Sequence, residues 1–202
     1  MASMTVQLGL RIAPYLLARK ILCLGYVSAP FSNADRFKFQ ALHALAMVKV
    51  IARHLRSGYS LVDIEQKGRG YRIDLLFQEI SSRKIRLDEV KSSKRIRQVH
   101  LLQAALYPCS IAVDEIAVSN REIDEVLSSQ FIQETRRRAE ITRQLLANNS
   151  DCAVTTYTPN EDCCYICANS SCPYFSTASL TAINSLQTGV SNRGHEGESN
   201  ER

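Results

Sequence analysis

The apolar pattern between residues 36 and 148 constrains the fold of this chain most strongly. Helical periodicity runs through residues 36–57 and ends before Gly58, and three strand-like segments follow it directly. The predicted elements are a helix at 36–57, strands at 59–67, 70–80 and 84–92, a helix at 95–107, a strand at 110–119 and a helix at 121–148. Because consecutive strands joined by short turns pair antiparallel, this order predicts an α/β domain with a mixed sheet flanked by helices.

Composition and charge argue against a membrane protein and permit a polyanionic partner. The 202 residues suffice for one well-packed domain with appendages, and 45% of them are hydrophobic and 22% charged. No apolar run reaches the roughly 18–20 residues that cross a bilayer, and a basic segment typical of a signal peptide is missing from the start. We therefore expect a cytoplasmic protein. The 25 basic and 20 acidic residues give a net charge of +5, which is compatible with nucleic-acid binding.

Two acidic residues and a lysine lie on neighbouring predicted strands. Asp74 interrupts an apolar strand between Ile73 and Leu75, and Glu89 and Lys91 lie two residues apart on the next strand. Side chains alternate along a strand, so Glu89 and Lys91 point to the same face. Two carboxylates that converge at a sheet edge suit Mg²⁺ or Mn²⁺, and a lysine beside them can position or deprotonate an attacking water. A cross-strand salt bridge among the three side chains is the alternative.

The helix that follows carries a polar stripe on an otherwise apolar surface. His100, Gln103 and Tyr107 fall at positions i, i+3 and i+7, which share one face of a helix. A mostly apolar helix is largely buried, so its polar groups need partners inside the protein. The predicted acidic site would supply those partners. In the alternative, the stripe faces solvent.

Four of the seven cysteines crowd into ten residues near the end of the chain. These are Cys163, Cys164, Cys167 and Cys172, and in a cytosolic protein they indicate metal ligation rather than disulfides. Three thiolates need a fourth ligand to hold a tetrahedral zinc ion or a 4Fe–4S cluster. Cys163 could complete the set within one loop, but the side chains of adjacent cysteines diverge. Cys23 is the better fourth ligand if the two ends of the chain meet.

The order of these residues resembles a known family of nucleases. Residues 72–77 (RIDLLF), 87–93 (LDEVKSS) and 100–107 (HLLQAALY) resemble the RecB-like branch of the PD-(D/E)XK nucleases, with its Asp, its Glu-x-Lys and its Gln-x-x-x-Tyr. The resemblance implies a restriction-endonuclease-like core whose catalytic residues are Asp74, Glu89, Lys91, Gln103 and Tyr107. It implies Mg²⁺ or Mn²⁺ ligands at His43, Asp74, Glu89 and the backbone of Val90. The segment before His43 departs from the family pattern, since Ala41 stands there with no glycine.

The cysteine layout narrows the resemblance further. One N-terminal and three C-terminal cysteines around a RecB-like nuclease resemble the CRISPR-associated RecB-like exonucleases (the fourth Cas family) and the nuclease domains of AddB-type helicase–nucleases. The resemblance implies a 4Fe–4S cluster that joins the chain ends through Cys23, Cys164, Cys167 and Cys172. Because the last gap is four residues where five is usual, Cys163 stays open as an alternative to Cys164. Zinc is the alternative metal.

The function that this resemblance implies is hydrolysis of DNA. We expect a metal-dependent exonuclease that acts on single-stranded DNA ends, with 5′ to 3′ polarity, in CRISPR spacer acquisition together with the CRISPR integrase proteins. Lys94, Arg95 and Arg97 are candidates for contacts with DNA phosphates. The alternatives are a nuclease of a virus- or plasmid-borne recombination or repair system and a catalytically silent nucleic-acid-binding scaffold. Self-association into a homo-oligomer stays open.

Four regions are predicted along the chain. Residues 1–35 form a helical segment with the first cluster cysteine, and residues 36–148 form the nuclease core. Residues 149–175 carry the C-terminal cysteine cluster. Residues 176–202 are rich in Ser, Thr, Asn and Gly, a composition that predicts a disordered tail.

Overall fold

The computed structural model of the protein describes residues 12–28, 32–68, 71–107, 112–148, 160–164, 167–170 and 172. Its helices are α1 (Pro14–Leu22), α2 (Asn33–Arg56), α3 (Gln98–Ala105), α4 (Ser129–Asn148) and α5 (Glu161–Cys164). Its strands are β1 (Tyr59–Gly68), β2 (Tyr71–Glu79), β3 (Ile85–Val90), β4 (Glu115–Ser119) and β5 (Asp124–Val126). The predicted tail at 176–202 lies outside the described residues. So do residues 1–11 of the predicted N-terminal region.

The five strands form one mixed sheet in the order β1-β2-β3-β4-β5. β1, β2 and β3 follow one another closely in the chain and pair antiparallel. β3 and β4 pair parallel, because α3 lies in the crossover between them. β4 and β5 form an antiparallel hairpin. The predicted α/β class, with a mixed sheet flanked by helices, is confirmed.

Helix α2 has clear signals at both of its ends. The Oγ of Ser32 accepts the backbone N–H of Asp35 at 3.1 Å, which satisfies one of the free donors of the first turn. The helix ends at Arg56, and Gly58 follows with a φ of +85°, a left-handed conformation that glycine adopts without strain. The chain can therefore reverse within two residues and enter β1.

The core lies on both faces of the sheet. On one face, Ala46, Met47 and Val50 of α2 pack with Leu75, Phe77 and Val90. On the other, the end of α3 packs with side chains of β2, β3 and β4, including Leu76, Leu87, Ile116 and Val118. Burial of this apolar surface stabilises the sheet and fixes which face each strand residue occupies.

The two ends of the described chain meet beside α3. Ala18, Leu22, Cys23 and Tyr26 of the N-terminal segment form one buried cluster with Val99 and Leu102 of α3 and Cys163 of α5. Ser28 and Cys167 form an isolated antiparallel bridge, and the N–H of Ala168 donates to the carbonyl of Val27 at 2.9 Å. The N-terminal and C-terminal segments are therefore attached to each other and to helix α3.

One predicted element is wrong. Residues 121–148 do not form a single helix, because residues 124–126 pair with β4 as strand β5 and α4 begins at Ser129. Asn120 explains the difference: its Oδ1 accepts the backbone N–H groups of Glu122 and Ile123, which closes a tight turn directly after β4. Ser128 then caps α4 by accepting the N–H of Phe131 at 3.1 Å.

No helix in the described part of the chain is long and apolar enough to cross a membrane.

Candidate active site

A cleft of about 550 Å³ collects the residues that the sequence singled out. The antiparallel register pairs Leu75 with Asp88, so Asp74 and Glu89 flank the last pair of the ladder between β2 and β3. Helices α2 and α3 supply the other walls. The predicted site residues that line the cleft are His43, Asp74, Glu89, Val90, Lys91, Gln103 and Tyr107. Residues from four separate elements thus converge at one place.

Glu89 is the centre of a buried hydrogen-bond network. It is only 3% exposed. Its Oε1 accepts Lys91 Nζ and, at 2.7 Å, Gln103 Nε2, while its Oε2 accepts the hydroxyl of Tyr107. Gln103 also accepts Lys91 Nζ at 3.1 Å and donates to the Tyr107 oxygen at 3.2 Å. Gln103 of α3 and Tyr107, two residues after the helix ends, therefore face the site. The ion pair between Glu89 and Lys91 is one part of this larger network.

Asp74 and His43 form the other half of the site. Asp74 is 5% exposed, and its Oδ2 accepts the backbone N–H of Val90 at 2.9 Å. Its Oδ1 lies 3.3 Å from His43 Nε2. That nitrogen is buried, and no described group completes a well-directed hydrogen bond with it. A buried nitrogen without such a bond, beside a carboxylate in a cleft, is suited to bind a ligand.

Burial and mutual repulsion control the protonation of these groups. Burial raises the pKa of Glu89, the nearby Asp74 charge raises it further, and Lys91 only partly offsets these effects. The contact with Asp74 raises the pKa of His43. Burial and the Glu89 carboxylate raise the pKa of Tyr107, so its hydroxyl stays protonated and acts as a donor. Two carboxylates thus share the cleft with Lys91 and with His43, and a bound cation would take the place of the His43 proton.

The donor set of the cleft fits a hard divalent cation in its chemistry. An imidazole nitrogen, two carboxylates and a backbone carbonyl are ligands that Mg²⁺ or Mn²⁺ can accept. His43, Asp74 and Glu89 do not bring three ligand atoms within 4.8 Å of one another, although a trio elsewhere in the described chain does. Glu89 is instead engaged by its three donors. A cation that used all three residues would require Glu89 to turn, or to bind through a water.

Several other predicted residues lie outside the cleft lining. The Nδ1 of His100 accepts the backbone N–H of Arg97 at 3.2 Å, so this histidine closes the first turn of α3. Lys94 and Arg95 are exposed, and Arg97 lies 3.9 Å from Asp162 Oδ1. The three DNA-contact candidates therefore surround the start of α3 rather than the floor of the site.

Seven residues of the cleft wall were not predicted from the sequence: Ala13, Pro14, Ser92 and four larger side chains. Tyr15 from α1, Phe39 from α2, and Tyr71 and Arg72 from β2 all line it. The only sequence signal was the spacing of Phe39, four residues before His43 and thus on the same helix face. Arg72 lies 3.2 Å from Glu65 in an exposed pair, so it adds a cation at the cleft wall.

A second polar cluster lies on the α2 side of β3. His54, Asp88 and Asp124 place ligand atoms within 4.8 Å of one another, a spacing that could hold a cation. However, the guanidinium of Arg86 already donates to both oxygens of Asp88, at 3.0 and 3.1 Å, and lies 3.4 Å from Asp124. Ser119 donates to Asp88 at 2.5 Å as well. A metal ion would have to displace a paired arginine, so we interpret this cluster as structural.

Burial alone would raise the pKa of Asp88, but its contacts with His54, Arg86 and Ser119 hold that pKa below the ordinary value. The same ion pairs raise the pKa of Arg86 despite its burial. Asp88 is fully buried, so its charge depends on these partners. The cluster links α2 to β3 and β4 directly behind the candidate site.

Three of the described cysteines, Cys23, Cys163 and Cys167, pack together where the chain ends meet, but no three sulfurs of the described cysteines lie within 4.8 Å of one another. Cys23, Cys163, Cys164, Cys167 and Cys172 are all free thiols. Cys23 and Cys163 share one buried cluster, and Cys167 packs against it. Asn169 reinforces the junction by donating to the carbonyl of Gly25 at 2.8 Å. The condition under which Cys23 could join the C-terminal cysteines, contact between the two ends, is therefore met.

Comparison of the chain with protein-family models, with curated protein sequences and with solved structures found no significant match.

Proposed function

We propose that the protein is a divalent-metal-dependent deoxyribonuclease with a PD-(D/E)XK core that hydrolyses phosphodiester bonds at the ends of single-stranded DNA. The observation that carries the proposal is the convergence, in one cleft, of residues from α2, β2, β3 and α3. If the short motif matched by chance, a distant histidine, two carboxylates, a lysine and a Gln-Tyr pair would not be expected to lie together in one cleft. The resemblance of the sequence to RecB-like nucleases points to the same residues.

Each side chain has a role that its contacts support. His43, Asp74 and Glu89 offer the ligands for Mg²⁺ or Mn²⁺, and the backbone of Val90 lies beside them. When bound, the cation would polarise the attacking water and offset charge on the phosphate. Lys91 bears a charged amine at the cleft, 18% exposed, where it can orient a water or contact a phosphate oxygen.

Gln103 and Tyr107 are positioning residues in this scheme. Gln103 contacts both Glu89 and Lys91, so it fixes the separation between a carboxylate and an amine. The Tyr107 hydroxyl holds the second oxygen of Glu89 from a ring that is 4% exposed. Rigid support of this kind keeps the reactive groups in one geometry.

The experiment incubates the full chain with end-labelled single-stranded DNA in Mn²⁺ or Mg²⁺. We expect hydrolysis by the natural protein and a loss of at least about 100-fold in Lys91→Ala, the scale for removal of one acid–base or electrostatic group. Lys84→Ala, at an exposed lysine just before β3, is the matched control and should keep full activity. DNA binding without any hydrolysis would reject the nuclease and favour a binding scaffold instead.

The polarity and the biological setting rest on the resemblance alone. A 5′ to 3′ exonuclease acting in CRISPR spacer acquisition with integrase proteins is the specific form of the proposal. Substrates labelled at the 5′ or at the 3′ end separate the two polarities by their first products. A circular single strand separates exonuclease from endonuclease activity, because only an endonuclease can cut it.

We extend the proposal to a 4Fe–4S cluster held by Cys23, Cys164, Cys167 and Cys172. The sulfurs of Cys164 and Cys167 accept backbone N–H groups, from Asn160 at 3.4 Å and from Val27 at 3.5 Å. Such N–H donors stabilise the negative charge of ligand thiolates. Four cysteines at the junction of the chain ends would let a cluster hold both ends in place.

The contacts of Cys163 differ from those of Cys164. The Cys163 thiol donates to the carbonyl of Arg19 at 3.7 Å, and it is 1% exposed. Burial raises the pKa of Cys163 to about 12, so it stays protonated and is a poor ligand. We therefore expect Cys163→Ser to keep a brown absorbance at roughly 400 nm and Cys164→Ser to lose it. Zinc without iron in the purified protein would reject the iron–sulfur assignment.

A further inference from the structure

Two exposed aromatic side chains stand at the mouth of the candidate active site. Tyr15, near the start of α1, is 51% exposed, and Phe39, in α2, is 53% exposed. Both line the same cleft as Asp74, although they come from different helices. Phe39 precedes His43 by four residues, so it lies about one helical turn, roughly 6 Å, from this histidine along the same helix face.

The rest of the cleft supplies polar partners for a nucleotide. Arg72 is exposed at the wall, and Lys91 lies deeper, beside Glu89. A volume of about 550 Å³ falls within the range of natural ligand pockets, roughly 300–1,000 Å³. Aromatic rings that accept bases, together with cations that follow the phosphates, are the means by which proteins hold single-stranded nucleic acids without reading their sequence.

We propose that Tyr15 and Phe39 form a nucleobase subsite, in which one or both rings stack on an unpaired base while the strand passes the acidic centre. The proposal rests on the proposed nuclease function and deepens it, because it assigns the preference for single strands to named side chains. A base inside a duplex is already stacked on its neighbours, so it must unpair before it can reach these rings. Stacking accepts every base, so the subsite selects strandedness rather than sequence.

The experiment measures binding of the full chain to a labelled oligothymidylate by fluorescence anisotropy, with Ca²⁺ in place of Mn²⁺ to limit hydrolysis. Phe39→Ala and Tyr15→Ala are compared with Phe37→Ala. Phe37 is the matched control, because it is 79% exposed on the same helix and does not line the cleft. The same oligomer with one abasic nucleotide, placed at successive positions from the end, completes a double-mutant cycle between ring and base. Thermal unfolding verifies that each variant is folded.

We expect Phe39→Ala to weaken binding of the intact oligomer by roughly 5- to 150-fold, the effect of losing one stacked base. One abasic position should weaken binding of the natural protein by a similar factor, and the two losses should not add. Tyr15→Ala should behave in the same way at the same or a neighbouring position, while Phe37→Ala should bind like the natural protein.

The proposal is overturned if Phe39→Ala and Tyr15→Ala bind no more weakly than Phe37→Ala, or if their losses simply add to that of every abasic position. Hydrolysis in Mn²⁺ is scored separately on the natural protein. Cutting without base-dependent binding rejects the subsite and leaves the nuclease intact. Base-dependent binding without cutting rejects the nuclease and leaves the subsite intact.

Discussion

His100 should make the protein sensitive to mild acid, and His100→Gln should remove that sensitivity. Its Nδ1 accepts the backbone N–H of Arg97 at the start of α3, which requires a neutral ring. Burial, and then the charges of Lys91 and Arg97, lower the pKa of His100 to about 3. The unfolded chain binds a proton at this residue below a pH of about 6.5, whereas the folded chain does so only near pH 3.

The sign and the size follow from this difference. The folded pKa is depressed, so the stability contributed by the neutral ring is present above pH 6.5 and is lost as the pH falls toward 3. Between pH 6.5 and pH 4.5 the protein loses this stability over two pH units, which amounts to about 2.7 kcal/mol at 1.36 kcal/mol per unit. Partial contact of the ring with solvent reduces this to roughly 2 kcal/mol.

The assay is chemical unfolding followed by circular dichroism at a series of pH values. Glutamine at the third helical position can still accept the Arg97 N–H, so His100→Gln should match the natural protein near pH 8. At pH 4.5 it should be more stable by roughly 2 kcal/mol. NMR titration of the imidazole signals gives the pKa of His100 directly. Parallel loss of stability in both proteins from pH 8 to pH 4.5 would refute the reasoning.

Three further predictions concern the two sides of β3. Mn²⁺ at 100 times its dissociation constant should raise the free energy of unfolding by about 2.7 kcal/mol, and Asp74→Asn should abolish this gain; equal gains in both proteins would contradict the metal site. Asp88→Ala should cost about 3–5 kcal/mol, because it removes the bidentate partner of a buried guanidinium and leaves it only the more exposed Glu115 and Asp124. Asp124→Ala, at a carboxylate that is 23% exposed, should cost about 1 kcal/mol or less, and equal costs would contradict the structural role of the cluster. Tyr107→Phe removes a donor to the Glu89 carboxylate and should lower the free energy of unfolding by about 1.5–3 kcal/mol in chemical unfolding. An unchanged free energy of unfolding would contradict a stabilising role for that hydrogen bond.

Where its signals are local, the sequence predicted which side chains lie together in the cleft. The two-residue spacing of Glu89 and Lys91 directs both side chains to one face, whatever the tertiary fold. Gln103 lies on α3, and Tyr107 follows two residues after the helix ends and still reaches the site. Asp74 could be linked to them because only a short turn separates β2 from β3. The hairpin at residues 120–126 was missed because its residues favour a helix by composition, and the turn that Asn120 makes overrides that preference.

Other features depend on contacts between distant parts of the chain. The partners of Asp88 are His54, Arg86 and Ser119. His54 and Ser119 are more than 30 residues away from Asp88 in the chain, and no pattern in the sequence predicts their contact with it. The aromatic side chains that line the cleft were not predicted, for a similar reason. Whether Tyr15 or Phe39 is buried or exposed depends on how α1 and α2 are placed around the sheet, and hydrophobicity alone predicts burial.

Strand β3 shows why the acidic pair at 88–89 divides its roles. Alternation directs Asp88 toward α2 and Glu89 toward α3, so adjacent carboxylates enter different surroundings. Asp88 contacts an arginine, a serine and a histidine, and these contacts lower its pKa. The charge of Glu89 is offset only in part by Lys91, and its pKa is raised. Asp88 is therefore fully paired within the fold, whereas a further positive charge at the cleft would stabilise the ionised form of Glu89. Because a one-residue slip of β3 would exchange the two, the buried ion pair of Asp88 also fixes the register that presents Glu89 to the site.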